Sequence, residues 1–324
     1  MKGNKRVLVT GGAGFIGSHV ADAYLAAGYQ VTVLDDLSRG RREWVPAGAG
    51  FHQLDVRDPQ AAELIGGSGF DIINHHAAQI DVRLSVADPR FDASVNLDGL
   101  LNLLESARES GVKRFIYVSS GGVIYGEPEI RPTPETSRKL PESPYGVTKL
   151  AGEYYLYYYR RVHGLEYVSL RYANVYGPRQ DPHGEAGVVA IFSNRLLSGE
   201  RLAVFGDGEQ TRDYVHVADV VTANLLCSEV RLDPPRSIDD RGFNVGTGRE
   251  TSVNELARVL MQVSGRSADV EQRPARPGEL RRSSLDAGRL GALGWSPRIT
   301  LEEGLRETYA YLAGGGITTM EALV

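Results

Sequence analysis

Val7-Leu8-Val9-Thr10-Gly11-Gly12-Ala13-Gly14-Phe15-Ile16-Gly17-Ser18-His19 is the stretch that decides how this chain folds. Its first four residues form a short β-branched run, the pattern of a strand buried on both faces. Glycines follow at 11, 14 and 17, and from Phe15-Ile16 through Val20, Ala23 and Tyr24 the apolar residues take up a helical period. Strand, glycine-rich turn and helix in that order make a phosphate cradle. Gly11 permits a sharp turn, Gly14 a close approach of backbone to a pyrophosphate, and Gly17 close packing of the helix. The helix that Phe15 and Ile16 open directs its free N–H groups and positive dipole end at the phosphates. A glycine turn alone is a weak signal. A second strand, Gln30-Val31-Thr32-Val33-Leu34, ends in Asp35-Asp36. A carboxylate about 20 residues beyond the turn is placed to take ribose hydroxyls.

The glycine spacing is GxxGxxG, and TGGAGFIGSH followed by an acidic strand end resembles the extended short-chain dehydrogenase/reductase family. Most members of that family act on nucleotide-linked sugars. The resemblance implies an α/β fold: a Rossmann-type doubly wound parallel sheet with a smaller mixed C-terminal substrate lobe. The expected division is 1–173 for the dinucleotide domain, with returning segments near 217–248, and 174–324 for the substrate lobe. Asp35 repels a 2′-phosphate, so NAD is favoured over NADP as cofactor. Arg39, Arg41 and Arg42 could accept such a phosphate, or could be ordinary solvated charges in a loop.

Composition bounds the classes. The chain has 324 residues, 42% hydrophobic, with net charge −5 and mean hydropathy −0.25. That length suffices for a sizeable core. The negative balance argues against nucleic acid as a partner. No apolar run approaches a membrane span, and no signal-peptide core precedes the first strand, so a cytoplasmic protein is expected. The single cysteine, Cys227, excludes an internal disulfide and any CxxC metal site.

Further along, Gly50 to Val56 reads as a third strand with an acidic end, and the resemblance places Asp55 and Val56 beside an adenine ring. Asp71 to Gln79 reads as a fourth strand running into small Ala77 and Ala78, which let a dinucleotide lie close. His75 and His76 have no partner at metal-ligand spacing and read as strand-end packing; no metal is expected. Asp92 to Ser110 is a strongly amphipathic helix. Its Asn96 matches the family asparagine that fixes the loop after the fourth strand beside the cofactor. A fifth strand, Arg114 to Ser120, leads to Gly121-Gly122-Val123-Ile124-Tyr125-Gly126. A sixth, Glu166 to Tyr172, places Tyr172 at the cofactor end. The run Tyr154-Tyr155-Leu156-Tyr157-Tyr158-Tyr159 holds too many tyrosines for one small core. With the 92–110 helix it suggests a homodimer face. The tail from Gly314 is expected to be mobile in part.

Tyr145 and Lys149 lie four apart at a helix start and share one face. An ammonium beside a phenol favours phenolate, lowering its pKa from about 10 toward a general base. The family joins this pair to a serine or threonine four residues before the tyrosine of a VYG-type turn. Counting back from Tyr125 lands on Gly121, which has no hydroxyl. The role then passes to Ser120, to Ser119, or to an ordered water. Arg212 and Arg276 match two family arginines that grip a diphosphate, and forked guanidinium contacts suit that group. Asn174 matches an amide contact to it, and Val188 lies in the same matching stretch. Ser283, four residues after Glu279, matches the position against the sugar C2 substituent. A serine there would leave room for an N-acetyl group.

The stretch from Tyr172 through Val189 resembles the 4-epimerase branch acting on UDP-glucose or UDP-N-acetylglucosamine. The expected activity is NAD-dependent epimerisation at C4 of a UDP-hexose through a 4-keto intermediate. A UDP-glucuronate 4-epimerase or decarboxylase is the alternative. A 4,6-dehydratase would need Thr-Asp-Glu where this chain has Gly121-Gly122-Val123. A non-catalytic NAD-binding protein would have no need of the tyrosine–lysine pair.

Overall fold

The computed structural model describes residues 5–182, 187–275 and 280–315. Six strands are β1 (Arg6–Thr10), β2 (Gln30–Asp35), β3 (Gly50–Gln53), β4 (Ile72–His75), β5 (Arg114–Ser120) and β6 (Tyr167–Tyr172). They pair in parallel with a later strand in the order 3-2-1-4-5-6 and then that strand, making seven. Val7 to Thr10 are fully buried because both faces of the sheet are covered. Strand alternation divides β1 cleanly. Val7 and Val9 face one apolar cluster, with Val20, Ala21 and Tyr24 of α1 (Phe15–Ala26). Leu8 faces the other, with α2 (Pro59–Ser68). After β3 the chain crosses to the other side of β1, and the crevice at this switch point opens beyond the strands' carboxyl ends.

The amphipathic segment 92–110 is not one regular helix. α3 (Val82–Ala87) is followed by α4 (Pro89–Ala93), a π turn over Ser94–Asp98, and α5 (Gly99–Ser110). Asp88 caps α4 by accepting the Phe91 N–H, with Pro89 at the first helical position. The π turn carries Asn96, and such bulges commonly re-aim a side chain at a functional site.

Beyond β5, α6 (Gly121–Ile124) turns the chain, and α7 (Pro144–His163) starts at a Ser143 cap and stops at Gly164 in the left-handed region, φ 77°. Tyr159 is buried, whereas Tyr154, Tyr155 and Tyr158 are exposed. Three short strands follow β6: β7 (Asn174–Tyr176), β8 (Leu202–Phe205) and β9 (Thr211–Arg212), interrupted by α8 (Val188–Ser198). β10 (Tyr214–His216) pairs in parallel with β7. α9 (Val217–Glu229) joins the α1 side of the sheet, and β11 (Gly242–Val245) pairs with β6 as the seventh strand. β12 (Thr251–Ser252) pairs antiparallel with β9, and β13 (Val270–Arg273) pairs with β8. α10 (Val253–Ser264), the short α11 (Gly288–Gly291) and α12 (Leu301–Ala310) complete the elements. A separate apolar cluster unites α8, β8, α10 and α12. The tail beyond Gly315 lies outside the described residues. Among those described, no helix is long and apolar enough to cross a membrane.

Candidate active site

A cleft of about 1020 Å³ runs along the carboxyl ends of the strands. At one end lies the glycine turn. Gly11 adopts φ +66°, and a Cβ there would meet the Ala77 backbone nitrogen at 2.6 Å. A Cβ on Gly14 would meet only the Gly11 carbonyl, at 3.2 Å, and one on Gly17 would drive into that carbonyl. The cradle is therefore shaped by missing side chains. Gly11, Gly14, Phe15, Ile16 and Gly17 line it, as do Asp35, Asp36, Asp55, Val56, Ala77 and Ala78.

Asp35 accepts the N–H of Ala13 at 2.9 Å and that of Leu37 at 2.8 Å, which aims its carboxylate across the turn. Burial pushes its pKa up, and these bonds act against that. A dinucleotide ribose fits this acceptor-rich strand end. Of the nearby arginines, Arg41 stacks on Trp44 and Arg42 on Phe51, while Arg39 lies 3.7 Å from Asp81. Stacking and pairing account for all three without a 2′-phosphate.

Asn96, expected to fix the loop after the fourth strand, does so without itself lining the cleft. Its Oδ1 accepts the Gln79 N–H at 2.9 Å and its Nδ2 donates to the Gln79 carbonyl at 3.0 Å, so it pins the loop after β4 from behind. His75 Nδ1 and Thr10 Oγ1 are 2.7 Å apart. Burial holds His75 well below its usual pKa and His76 near 3, so both rings are neutral. Among the described residues no group of three or more His, Cys, Asp or Glu could hold a metal.

Tyr145, Lys149 and Ser120 line the same cleft, as does Tyr172, which pairs with Ser120 across β5 and β6. Ser120 lies beside the Tyr145 phenol and acts to favour its phenolate. Ser119 also reaches the cleft wall, but its Oγ is buried without a hydrogen-bond partner. Gly121 faces away: a Cβ there would meet Leu285 Cδ1 at 2.5 Å and the Arg171 carbonyl at 3.3 Å. The count back from Tyr125 thus lands on a residue outside the cleft, because the chain turns into α6 at Gly121.

The electrostatics differ from the sequence expectation. Burial pushes the Tyr145 phenol well above its ordinary value, Asp92 adds to the rise, and only Ser120 opposes it. Lys149 is itself pushed down, to about 8, by burial. Its Nζ donates to the Val118 carbonyl at 3.0 Å and lies 5.8 Å from the Tyr145 ring centre. Burial thus works against the phenolate that a general base requires, and Ser120 works for it.

The far end of the cleft is lined by Asn174, Val188 and Arg212, joined by Phe205 and Arg195. Ser283 is not among the lining residues. It is buried, and its N–H donates to the Thr211 carbonyl at 3.2 Å, beside the bridge between Thr211 and Arg282. The expectation that it faces a sugar C2 substituent is corrected accordingly. Arg276 and Glu279 lie outside the described residues.

Sequence reasoning missed Arg179, which lines the cleft in the left-handed region, φ 66°. It pairs with Asp22 of α1 at 2.8 Å, and His19 Nε2 and the Pro178 carbonyl lie 2.9 Å apart. The Gly177-Pro178 turn was the sole signal.

A model of the NAD dependent epimerase/dehydratase family matches residues 7–246. A UDP-glucose 4-epimerase of Mycolicibacterium smegmatis is 47% identical over 94% of this chain and 98% of its own length. Among solved structures, the UDP-glucose 4-epimerase of Thermotoga maritima with UDP-glucose is 48% identical, with TM-score 0.91, covering 96% of this chain and 99% of that one. The Thermus thermophilus UDP-glucose 4-epimerase in complex with NAD is 45% identical, with TM-score 0.89, covering 96% and 100%.

Proposed function

This chain belongs to the NAD dependent epimerase/dehydratase family, and from that premise we propose that it interconverts UDP-glucose and UDP-galactose by inverting C4. The observation that carries the reading is that Tyr145, Lys149 and Ser120 line the same cleft as the glycine cradle and Arg212. NAD, held by the glycine turn, Asp35 and the Ala77–Ala78 loop, supplies a hydride acceptor that is restored each cycle, so no second substrate is consumed.

Tyr145 acts as its phenolate: it takes the proton of the sugar 4-hydroxyl as the 4-keto sugar forms, becoming a neutral phenol, and returns that proton after the sugar has turned over. Ser120 donates to the phenolic oxygen and steadies its charge. Lys149 supplies the cation that offsets the burial of that charge. Arg212 and Asn174 are assigned to the diphosphate and Val188 to the wall beside it. The exposed Tyr154, Tyr155 and Tyr158, with Val147 and Val162 on the same helix, suit a face joining two copies of the chain. A cytoplasmic homodimer is the assembly we infer.

The test is incubation of the purified enzyme with UDP-galactose and no added NAD, following products by NMR. Conversion to UDP-glucose is expected, and Tyr145→Phe should retain NAD while losing at least about a hundredfold in turnover. Near-parental turnover in that variant would remove Tyr145 from the reaction.

A further inference from the structure

Asp92 is fully buried in the last turn of α4, where three parts of the site meet. Its Oδ1 accepts from Gln79 Nε2 at 2.9 Å and Asn96 Nδ2 at 3.1 Å, and its Oδ2 accepts from Thr148 Oγ1 at 2.8 Å. The orientation of both amides is fixed independently. Gln79 Oε1 takes the Asp81 N–H at 2.5 Å, and Asn96 Oδ1 takes the Gln79 N–H at 2.9 Å. Their NH₂ groups must then face Asp92. Both amides thus donate to Asp92, and the Thr148 hydroxyl, which also lies 3.0 Å from the Tyr145 carbonyl, sits against its other oxygen, a setting that suits an ionised carboxylate.

A buried carboxylate is costly unless a positive charge answers it. The residue after Thr148 is Lys149, itself only 3% exposed. Its nearest contacts are the Val118 carbonyl at 3.0 Å and the Tyr117 ring at 5.1 Å, neither of which carries a full negative charge. The other groups around it are neutral or already answered. Burial raises the phenols of Tyr117, Tyr145 and Tyr172 and keeps His75 and His76 uncharged. Glu153, one turn further along α7, is paired with Arg171 at 2.6 Å.

We propose that Asp92 is a positioning residue of this site, its carboxylate keeping Lys149 charged while tying α7 to the loop that follows β4. The proposal rests on the reading of Tyr145 and Lys149 as the reacting pair. Burial lowers the Lys149 pKa to about 8, and Asp92 acts in the raising direction. Removing the Asp92 charge therefore lowers it further, and the ammonium is lost at a lower pH.

The chain has five lysines, so titration of the whole enzyme carrying ¹³C at the lysine ε-carbons resolves Lys149, assigned by its loss in Lys149→Arg. Asp92→Asn, close in shape, should move its midpoint down by at least about half a unit, with the alkaline limb of turnover following. Thr148→Val removes the hydrogen bond but leaves the charge, and should leave the midpoint in place. If Asp92→Asn does not fold, Asp92→Ser removes the same charge and gives the same comparison. A midpoint unmoved by loss of the Asp92 charge overturns the proposal, whatever happens to turnover. Persistence of the alkaline limb in Lys149→Arg would instead overturn the tyrosine–lysine reading on which it stands.

Discussion

The two ends of the cleft are built by different means. At the cofactor end, Gly11, Gly14, Gly17 and Asp35 come from one strand, one turn, one helix and the next strand. Asp35 reaches back only as far as Ala13 for its hydrogen bond. At the substrate end, Asn174 and Arg212 are brought together by strands of two or three residues. A single buried carboxylate, Asp213, gathers the N–H groups of Thr247, Gly248 and Leu285 at 2.9, 3.0 and 3.1 Å. Local spacing determines the first end. Contacts across many tens of residues determine the second.

The cofactor end should break at single positions. Gly11→Ala forces a side chain into a left-handed backbone and against the main chain of Ala77 and His76, at 2.6 and 2.8 Å. Left-handed backbone alone costs about 1–2 kcal/mol for a residue with a Cβ, and neither backbone contact can rotate away. The expected result is at least about a tenfold loss of NAD affinity, on the order of 1.4 kcal/mol, read by calorimetry on cofactor-stripped enzyme. Unaltered affinity would mean that this turn does not hold the dinucleotide.

The tyrosine–lysine site separates two kinds of sequence inference. The Tyr145–Lys149 spacing was legible because a helix guarantees that residues four apart share a face. The partner hydroxyl was narrowed to Ser120, Ser119 or a water but not decided, because its register depends on where β5 ends and α6 begins, and Gly121 lies on the wrong side of that turn. The raised phenol of Tyr145 was also beyond a sequence reading, since burial decides it. A hydroxyl added at 121 therefore does not restore a catalytic group. Gly121→Ser should instead overpack against Leu285, destabilising the fold by about 1–3 kcal/mol, with no gain in turnover. Ser120→Ala should lower turnover by about tenfold, the scale of one lost hydrogen bond to a developing charge, with NAD content unchanged. A rise in turnover in Gly121→Ser, or parental turnover in Ser120→Ala, would reverse the assignment.

The smallest expected effect lies at the substrate end and tests why that end was hard to read. Counting four residues from Glu279 assumes that the intervening chain keeps a fixed path, yet the position of Ser283 is decided by its pairing with Thr211, over seventy residues earlier in sequence. That pairing leaves Ser283 only 6% exposed and not among the residues that line the cleft. Arg212, the neighbour of Thr211, reaches the cleft instead. Ser283→Ala removes one small hydroxyl and leaves the backbone bond to Thr211 in place, so it should change stability by about 1 kcal/mol at most. The ratio of turnover on UDP-galactose to that on its N-acetylated counterpart should stay within about twofold of the parent, because no sugar substituent meets this side chain. A change in that ratio beyond about tenfold, equivalent to roughly 1.4 kcal/mol of discrimination, would return Ser283 to the sugar pocket. It would also show that this buried position opens when substrate binds.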